Sequence, residues 1–174
     1  GAREAGLLVG VYYYSCATTE TEGKKEAKKV LSILDGRRLD LPVVFDYEYA
    51  GRIAGKGIGR TKATNTIQAF FKYIRNNSSY DTMFYSYRSI MDPTWSPKFY
   101  IKKIDASHRI WVAQYYTDIE TYSRPFEFWQ YTSSGNVPGI DGYADCNFWY
   151  FDEDNYPVKS GKLSIKKATV SLSK

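Results

Sequence analysis

Asp46-Tyr47-Glu48 is the most concentrated chemistry in this chain. It closes the run Leu41-Pro42-Val43-Val44-Phe45, whose unbroken apolar stretch is that of a strand covered on both faces. Residues two apart on a strand share a face, so both carboxylates point into one site with Cα atoms ~7 Å apart. In a parallel β/α fold the ligand face lies at the C-terminal strand ends, and the pair falls there. Like charge and desolvation drive the two pKa values apart. One acid then keeps its proton and the other stays ionised, the division of labour of glycoside hydrolysis. A solvated strand end or a cation site is the plainer alternative for a lone D-x-E. Asp145 offers a third carboxylate at the start of the run 145–150, directly after the turn-rich segment 135–142. Its plainer alternative is a turn aspartate bonded to its own backbone.

Other candidates carry less. The segment 55–62, Gly-Lys-Gly-Ile-Gly-Arg-Thr-Lys, fits neither G-x-x-x-x-G-K-[ST] nor G-x-G-x-x-G, and reads as a mobile loop beside the acids. Ser86 lacks a nucleophile elbow, and His108, the single histidine, reads as structural. No C-x-x-C or Cys/His cluster points to a metal, and no cofactor is expected. Cys16 and Cys146 read as free, buried thiols whose pairing the spacing does not decide. Lys24, Lys25, Lys28 and Lys29 form a wet helix face without a groove-entering motif, so nucleic acid is not an expected partner.

Six runs rich in Val, Ile, Tyr, Phe and Trp must position these groups: 7–15, 41–48, 82–88, 109–115, 126–132 and 144–150. Between the first two, Ala27, Val30, Leu31 and Leu34 recur at helical spacing within an amphipathic helix over 22–34, with Gly36 as its stop. Ile67, Phe70, Phe71 and Ile74 mark a second helix, with Thr64 or Asn65 placed to cap it. Strand, helix, strand, helix, strand implies parallel strands joined by right-handed crossovers. After Arg88 the connections shorten, and 117–125 and 133–142 read as loops.

The chain has 174 residues, enough for one domain with a real core. With 43% hydrophobic and 25% charged residues it is globular rather than disordered. Lys and Arg number 24 against 19 Asp and Glu, a net charge of +5 that suits an anionic partner such as a wall or an acidic glycan. Aromatics make up 17% of the chain, including 17 Tyr, a composition that suits either a β-rich core or a carbohydrate cleft. No apolar run approaches the ~20 residues of a membrane span, so no membrane partner is expected.

Five motifs in order then resemble one family. They are Val9-Gly10-Val11-Tyr12-Tyr13-Tyr14-Ser15, Leu41 through Glu48, Ile110-Trp111-Val112-Ala113-Gln114-Tyr115, Phe128-Trp129-Gln130-Tyr131-Thr132-Ser133-Ser134-Gly135, and Val137-Pro138-Gly139-Ile140 followed by Asp145. Together they resemble glycoside hydrolase family 25, the Chalaropsis-type lysozymes, from residue 1 to residue 150. The resemblance implies an N-acetylmuramidase that cuts the β-1,4 bond between N-acetylmuramic acid and N-acetylglucosamine in peptidoglycan glycan strands, acting outside the cell or in the wall. It implies Glu48 as proton donor, Asp46 as its stabilising partner, and Asp145 as a further acid of the site. Tyr12, Tyr14, Tyr115 and Gln130 fall at motif positions expected to line the groove.

The implied fold is α/β, an irregular TIM-like β/α barrel. About six strands are present, and the first two of the family, with their D-V-S-like aspartate, have no counterpart. The expected domain is 1–152, with 153–174 as an extension or linker, or alternatively an edge strand. An incomplete barrel exposes strand edges, which favours self-association, and leaves a non-catalytic wall-binding domain as the alternative to a hydrolase. A chitinase-like site is disfavoured because Leu41 and Val44 stand where that family's D-x-x-D-x-D-x-E needs aspartates.

Overall fold

A computed structural model of the chain describes residues 1–118 and 120–150. Six strands form one sheet in sequence order: β1 (Val11–Tyr14), β2 (Val43–Asp46), β3 (Thr82–Tyr87), β4 (Arg109–Ala113), β5 (Phe128–Gly135) and β6 (Ala144–Trp149). The first five are parallel and β6 is antiparallel to β5. The register sets Tyr14 beside Asp46 and Asp46 beside Tyr85. The sheet is open among the described residues, and it curls enough for side chains of β1 and β6 to line a common hollow. The α/β class and all six strands agree with the sequence. The extension over 153–174 lies outside the described residues.

Helix α1 (Glu20–Leu34) starts where Thr19 accepts a hydrogen bond from the Glu22 N–H, while the Glu22 carboxylate reaches back to the Thr18 N–H. It stops where Asp35 and Gly36 turn left-handed, at φ 47° and 71°. Its buried stripe, Gly23, Ala27, Val30 and Leu34, packs against the sheet and α3 (Arg60–Asn77). At Gly23 the helices approach so closely that a Cβ would stand 2.6 Å from the Thr66 carbonyl oxygen.

The second helix corrects two expectations. Its N-cap is Gly59, so Thr64 and Asn65 lie one turn inside it. The Thr64 hydroxyl donates to the Arg60 carbonyl and accepts from the Tyr100 N–H, fastening a later loop. The segment 55–62 is accordingly the end of a short helix, α2 (Gly51–Gly55), a turn, and the first turn of α3, rather than one mobile loop. The helix signal was weak there because Gly55, Gly57 and Gly59 break the apolar period.

Alternation along the strands divides the sheet. Phe45, Tyr47, Phe84, Ile110 and Val112 face the helices and join Ile67, Phe70, Phe71 and Ile74 in the main core. Phe45 stacks on Phe70 with centroids 4.1 Å apart. His108 belongs to this layer, stacked 3.9 Å from Phe71 with Nδ1 2.7 Å from the Thr82 hydroxyl. Burial pushes its pKa down to about 3, so the ring stays neutral, as a structural histidine should. The opposite face carries a smaller cluster of Val44, Met83, Tyr85 and Ala113, flanked by Tyr87, Trp111, Tyr115 and Phe128.

Candidate active site

The second face opens into a cleft of about 300 Å³ lined by Tyr12, Tyr14, Val44, Asp46, Glu48, Tyr85, Trp111, Gln130 and Asp145. Six of the seven residues singled out from the sequence thus share one hollow. Tyr115, the seventh, reaches it through its hydroxyl, which donates to Gln130 Oε1.

Glu48 stands two residues beyond Asp46, past the end of β2, and the backbone there is held as if the strand continued. The Ser15 N–H donates to the Asp46 carbonyl at 2.9 Å and the Tyr47 N–H to the Tyr85 carbonyl at 3.2 Å. The Ser86 hydroxyl donates to the Tyr47 carbonyl at 2.5 Å. These bonds keep the strand period, so Asp46 and Glu48 project together while Tyr47 turns into the core. The chain then bends sharply at Tyr49, a non-glycine residue at φ 46°. Its hydroxyl bonds the Ile58 carbonyl at 3.0 Å and Lys98 sits 5.2 Å from its ring centroid. The strained corner is therefore tied down on both sides.

Asp145 arrives by a different route. Because β6 runs antiparallel, its first residues lie at the end of the sheet where β1 to β5 finish. The sequence places Asp145 at the start of a strand and the structure supplies the reason it reaches the acids. It also extends β5 to Gly135, so 133–135, expected as loop, is strand, and the hairpin turn is the shorter piece 136–143.

The electrostatics are uneven. Asp46 is 7% exposed, and its Oδ1 is buried without a hydrogen-bond donor. Burial, then the neighbouring Glu48 charge and hydrogen bond, then the Asp145 charge, push its pKa up to about 8. In the unliganded protein, then, the inner acid Asp46 holds a proton at neutrality. Glu48 is half-buried, and its Oε2 accepts from the Tyr87 hydroxyl at 3.0 Å. Burial also raises the Tyr85 and Tyr87 phenols, which remain protonated donors. Tyr85 and Tyr115 both donate to Gln130 Oε1, which fixes that amide in the floor. The Trp111 Nε1–H donates to Asn147 Oδ1 at 2.8 Å, joining β4 to β6 across β5.

Tyr85, Tyr87 and Trp111 were not among the candidates from sequence. Their strands read as core runs, and only the register, which sets Tyr85 beside Asp46, gives them the phase of the acids. The cysteines, whose pairing the sequence left open, are both free, and neither is the buried thiol read from sequence: Cys16 is exposed and Cys146 half-buried.

Comparison with known proteins places the chain in a family. The family model for glycosyl hydrolases family 25 matches residues 1–140. The autolytic lysozyme of Clostridium acetobutylicum is 27% identical over 150 residues, covering 84% of this chain and 41% of that protein. An uncharacterized Escherichia coli protein, YegX, is 25% identical over 84% of this chain and 49% of its own length. The chain thus spans about half the length, or less, of these relatives. Among solved structures, the modular autolysin LytC of Streptococcus pneumoniae, in complex with synthetic peptidoglycan ligand, superposes with a TM-score of 0.71 at 25% identity, over 85% of this chain and 35% of that one. The lysozyme of Streptomyces coelicolor gives 0.70 at 22% identity, over 88% and 72% of the two chains. With most of its length matched by the family model, the chain belongs to glycosyl hydrolases family 25.

Proposed function

We propose that the protein hydrolyses the glycan strands of peptidoglycan at the β-1,4 bond between N-acetylmuramic acid and N-acetylglucosamine. The observation that carries this reading is the asymmetric pair: two carboxylates on one face at the end of β2, the inner one buried and the outer one half-buried, in a tyrosine-lined cleft that a third acid borders. The peptidoglycan-bound LytC structure supports the choice of polymer, and family membership supports glycosidic cleavage. The likeness to the Streptomyces coelicolor lysozyme supports reading the curled sheet as part of an irregular β/α barrel, and family membership supports action outside the cell or in the wall.

In this scheme the proton on Asp46 passes across the pair to Glu48, the less buried of the two acids. Glu48 delivers it to the glycosidic oxygen as the C1–O bond breaks. Loss of the proton leaves Asp46 anionic, where it orients the 2-acetamido N–H and stabilises positive charge. The acetamido oxygen bonds to C1 and gives an oxazolinium. Glu48, now a carboxylate, takes a proton from the water that attacks C1 as the C1–O bond of the oxazolinium breaks and the acetamido group is regenerated, and the original protonation is restored through the pair. Tyr87 holds Glu48 in place through both steps. Asp145 raises the proton affinity of Asp46 from across the cleft.

The test is incubation with purified wall followed by reduction and mass spectrometry of the soluble fragments. Reduced muramic acid at the new ends is the expected product. Reduced glucosamine ends would mean that the other glycosidic bond is cut, and sedimentation with the wall but no fragments would favour the non-catalytic binding domain.

A further inference from the structure

Two tyrosines occupy equivalent corners of the sheet. Tyr49 follows Glu48 three residues past the end of β2, and Tyr116 follows Tyr115 three residues past the end of β4. Both are held left-handed, at φ 46° and 58°, a conformation that costs an aromatic residue and that glycine or asparagine would adopt more easily. At Tyr49 the hydroxyl and the ring are both engaged by the protein, and the bend secures Glu48. Tyr116 differs. Its side chain is fully exposed, at 104%. Its one ring contact among the described residues is with Tyr115, edge to face at 6.4 Å.

The turn that presents Tyr116 is stapled rather than loose. Gln114 clamps Thr121 with both amide atoms, donating to its hydroxyl at 2.9 Å and accepting from its N–H at 3.1 Å. The Gln114 N–H donates to the Gln130 carbonyl, and its own carbonyl accepts from the Trp129 indole at 2.8 Å. A braced turn thus holds a bare aromatic ring over solvent at an unfavourable φ, with no use for that ring in packing. Single exposed apolar side chains are ordinary on protein surfaces, but strain and bracing at the same residue are not.

The ring also continues a line. Tyr87, which bonds Glu48, lies 6.4 Å from Tyr115, and Tyr115 lies 6.4 Å from Tyr116, so the row leads outward from the acids along the C-terminal face. We propose that Tyr116 is a stacking platform for a pyranose of the same β-1,4 glycan, beyond the sugar held at the carboxylates. This rests on the glycan substrate proposed above. Aromatic faces bind the apolar side of a sugar ring, and a platform outside the acids acts only on chains long enough to reach it.

The experiment is calorimetric titration in a Glu48→Gln background, which prevents turnover, with the β-1,4-linked N-acetylglucosamine hexasaccharide and disaccharide as probes. Tyr116→Ala should weaken the hexasaccharide about fivefold to tenfold and leave the disaccharide within about twofold, whereas Tyr116→Phe keeps parental affinity for both. Equal weakening of the two probes, unchanged hexasaccharide binding, or no hexasaccharide binding by the Glu48→Gln parent would each overturn the platform. Wall cleavage by the wild-type protein alongside unchanged hexasaccharide binding would retire the platform and leave hydrolysis standing. A length-dependent loss in a protein that cleaves no wall would do the reverse.

Discussion

Phe45 and Asp46 are neighbours on β2 and face opposite sides of one sheet. Both are buried, yet Phe45 is enclosed by Tyr47, Phe70 and Phe71, whereas Asp46 holds a carboxyl oxygen with no donor. On the helix side the large groups are held by packing: the histidine is neutral and hydrogen-bonded, and the buried groups left without a partner there are the neutral hydroxyls of Tyr47 and Tyr122. On the cleft side three acids share a polar floor, and burial first, then the neighbouring acids, push the proton affinity of Asp46 up. The stability of the fold is concentrated on the helix side and its reactivity on the other, and period-two alternation lets one strand serve both.

That division can be broken from either side. On the cleft side, Glu48→Gln should reduce wall cleavage about 10²- to 10⁴-fold, the range for loss of a general acid, with a circular dichroism spectrum like that of the parent. On the helix side, Phe45→Ala should cost about 3–5 kcal/mol in urea unfolding, a large share of a typical domain's total. A variant that lost cleavage in proportion to its stability at both positions would contradict the separation. Gly23→Ala tests the helix layer alone. The added methyl meets the Thr66 carbonyl backbone at 2.6 Å, so α1 must shift, and the expected loss is about 1–3 kcal/mol.

A pH-dependent effect concerns Asp46 itself, and its sign follows from linkage. The folded pKa of about 8 lies above the ordinary carboxylate value of 3.8, so between these values the native state keeps a proton that the unfolded chain releases. The contribution is complete below pH 3.8 and is lost as pH rises through about 8. Asp46→Asn removes this slope and should raise Tm at pH 8 by about 2–8 °C while abolishing cleavage. Differential scanning calorimetry at pH 5 and pH 8 reads the change in Tm and a wall-digestion assay reads the cleavage; a parallel pH dependence of Tm in the two proteins would place the proton elsewhere.

Much of this was legible in the sequence because the signals are local. Alternation and the apolar run fix β2 and the common face of Asp46 and Glu48, and helical spacing fixes α1. The start of α3 was hidden because glycines precede it and its cap uses no side chain. The antiparallel direction of β6 was hidden because a strand carries no mark of the partner beside it. Tyr85, Tyr87 and Trp111 look like core residues, and they become floor only through pairing across strands that the sequence does not state. The resting position of the proton was equally out of reach. The resemblance implies proton donation by Glu48, but burial, which is a property of the assembled sheet, raises the proton affinity of Asp46.

The hairpin that carries Asp145 separates this acid from the architecture that fixes the other two. Asp46 and Glu48 cannot move without disturbing β1, β3 and the helices, whereas Asp145 hangs from a turn with left-handed glycines at 139 and 142. Residues can be gained or lost in that turn while strand order stays intact. In a designed variant it is the natural adjusting screw for the width of the cleft, which can be opened or narrowed there without recutting the rest of the protein.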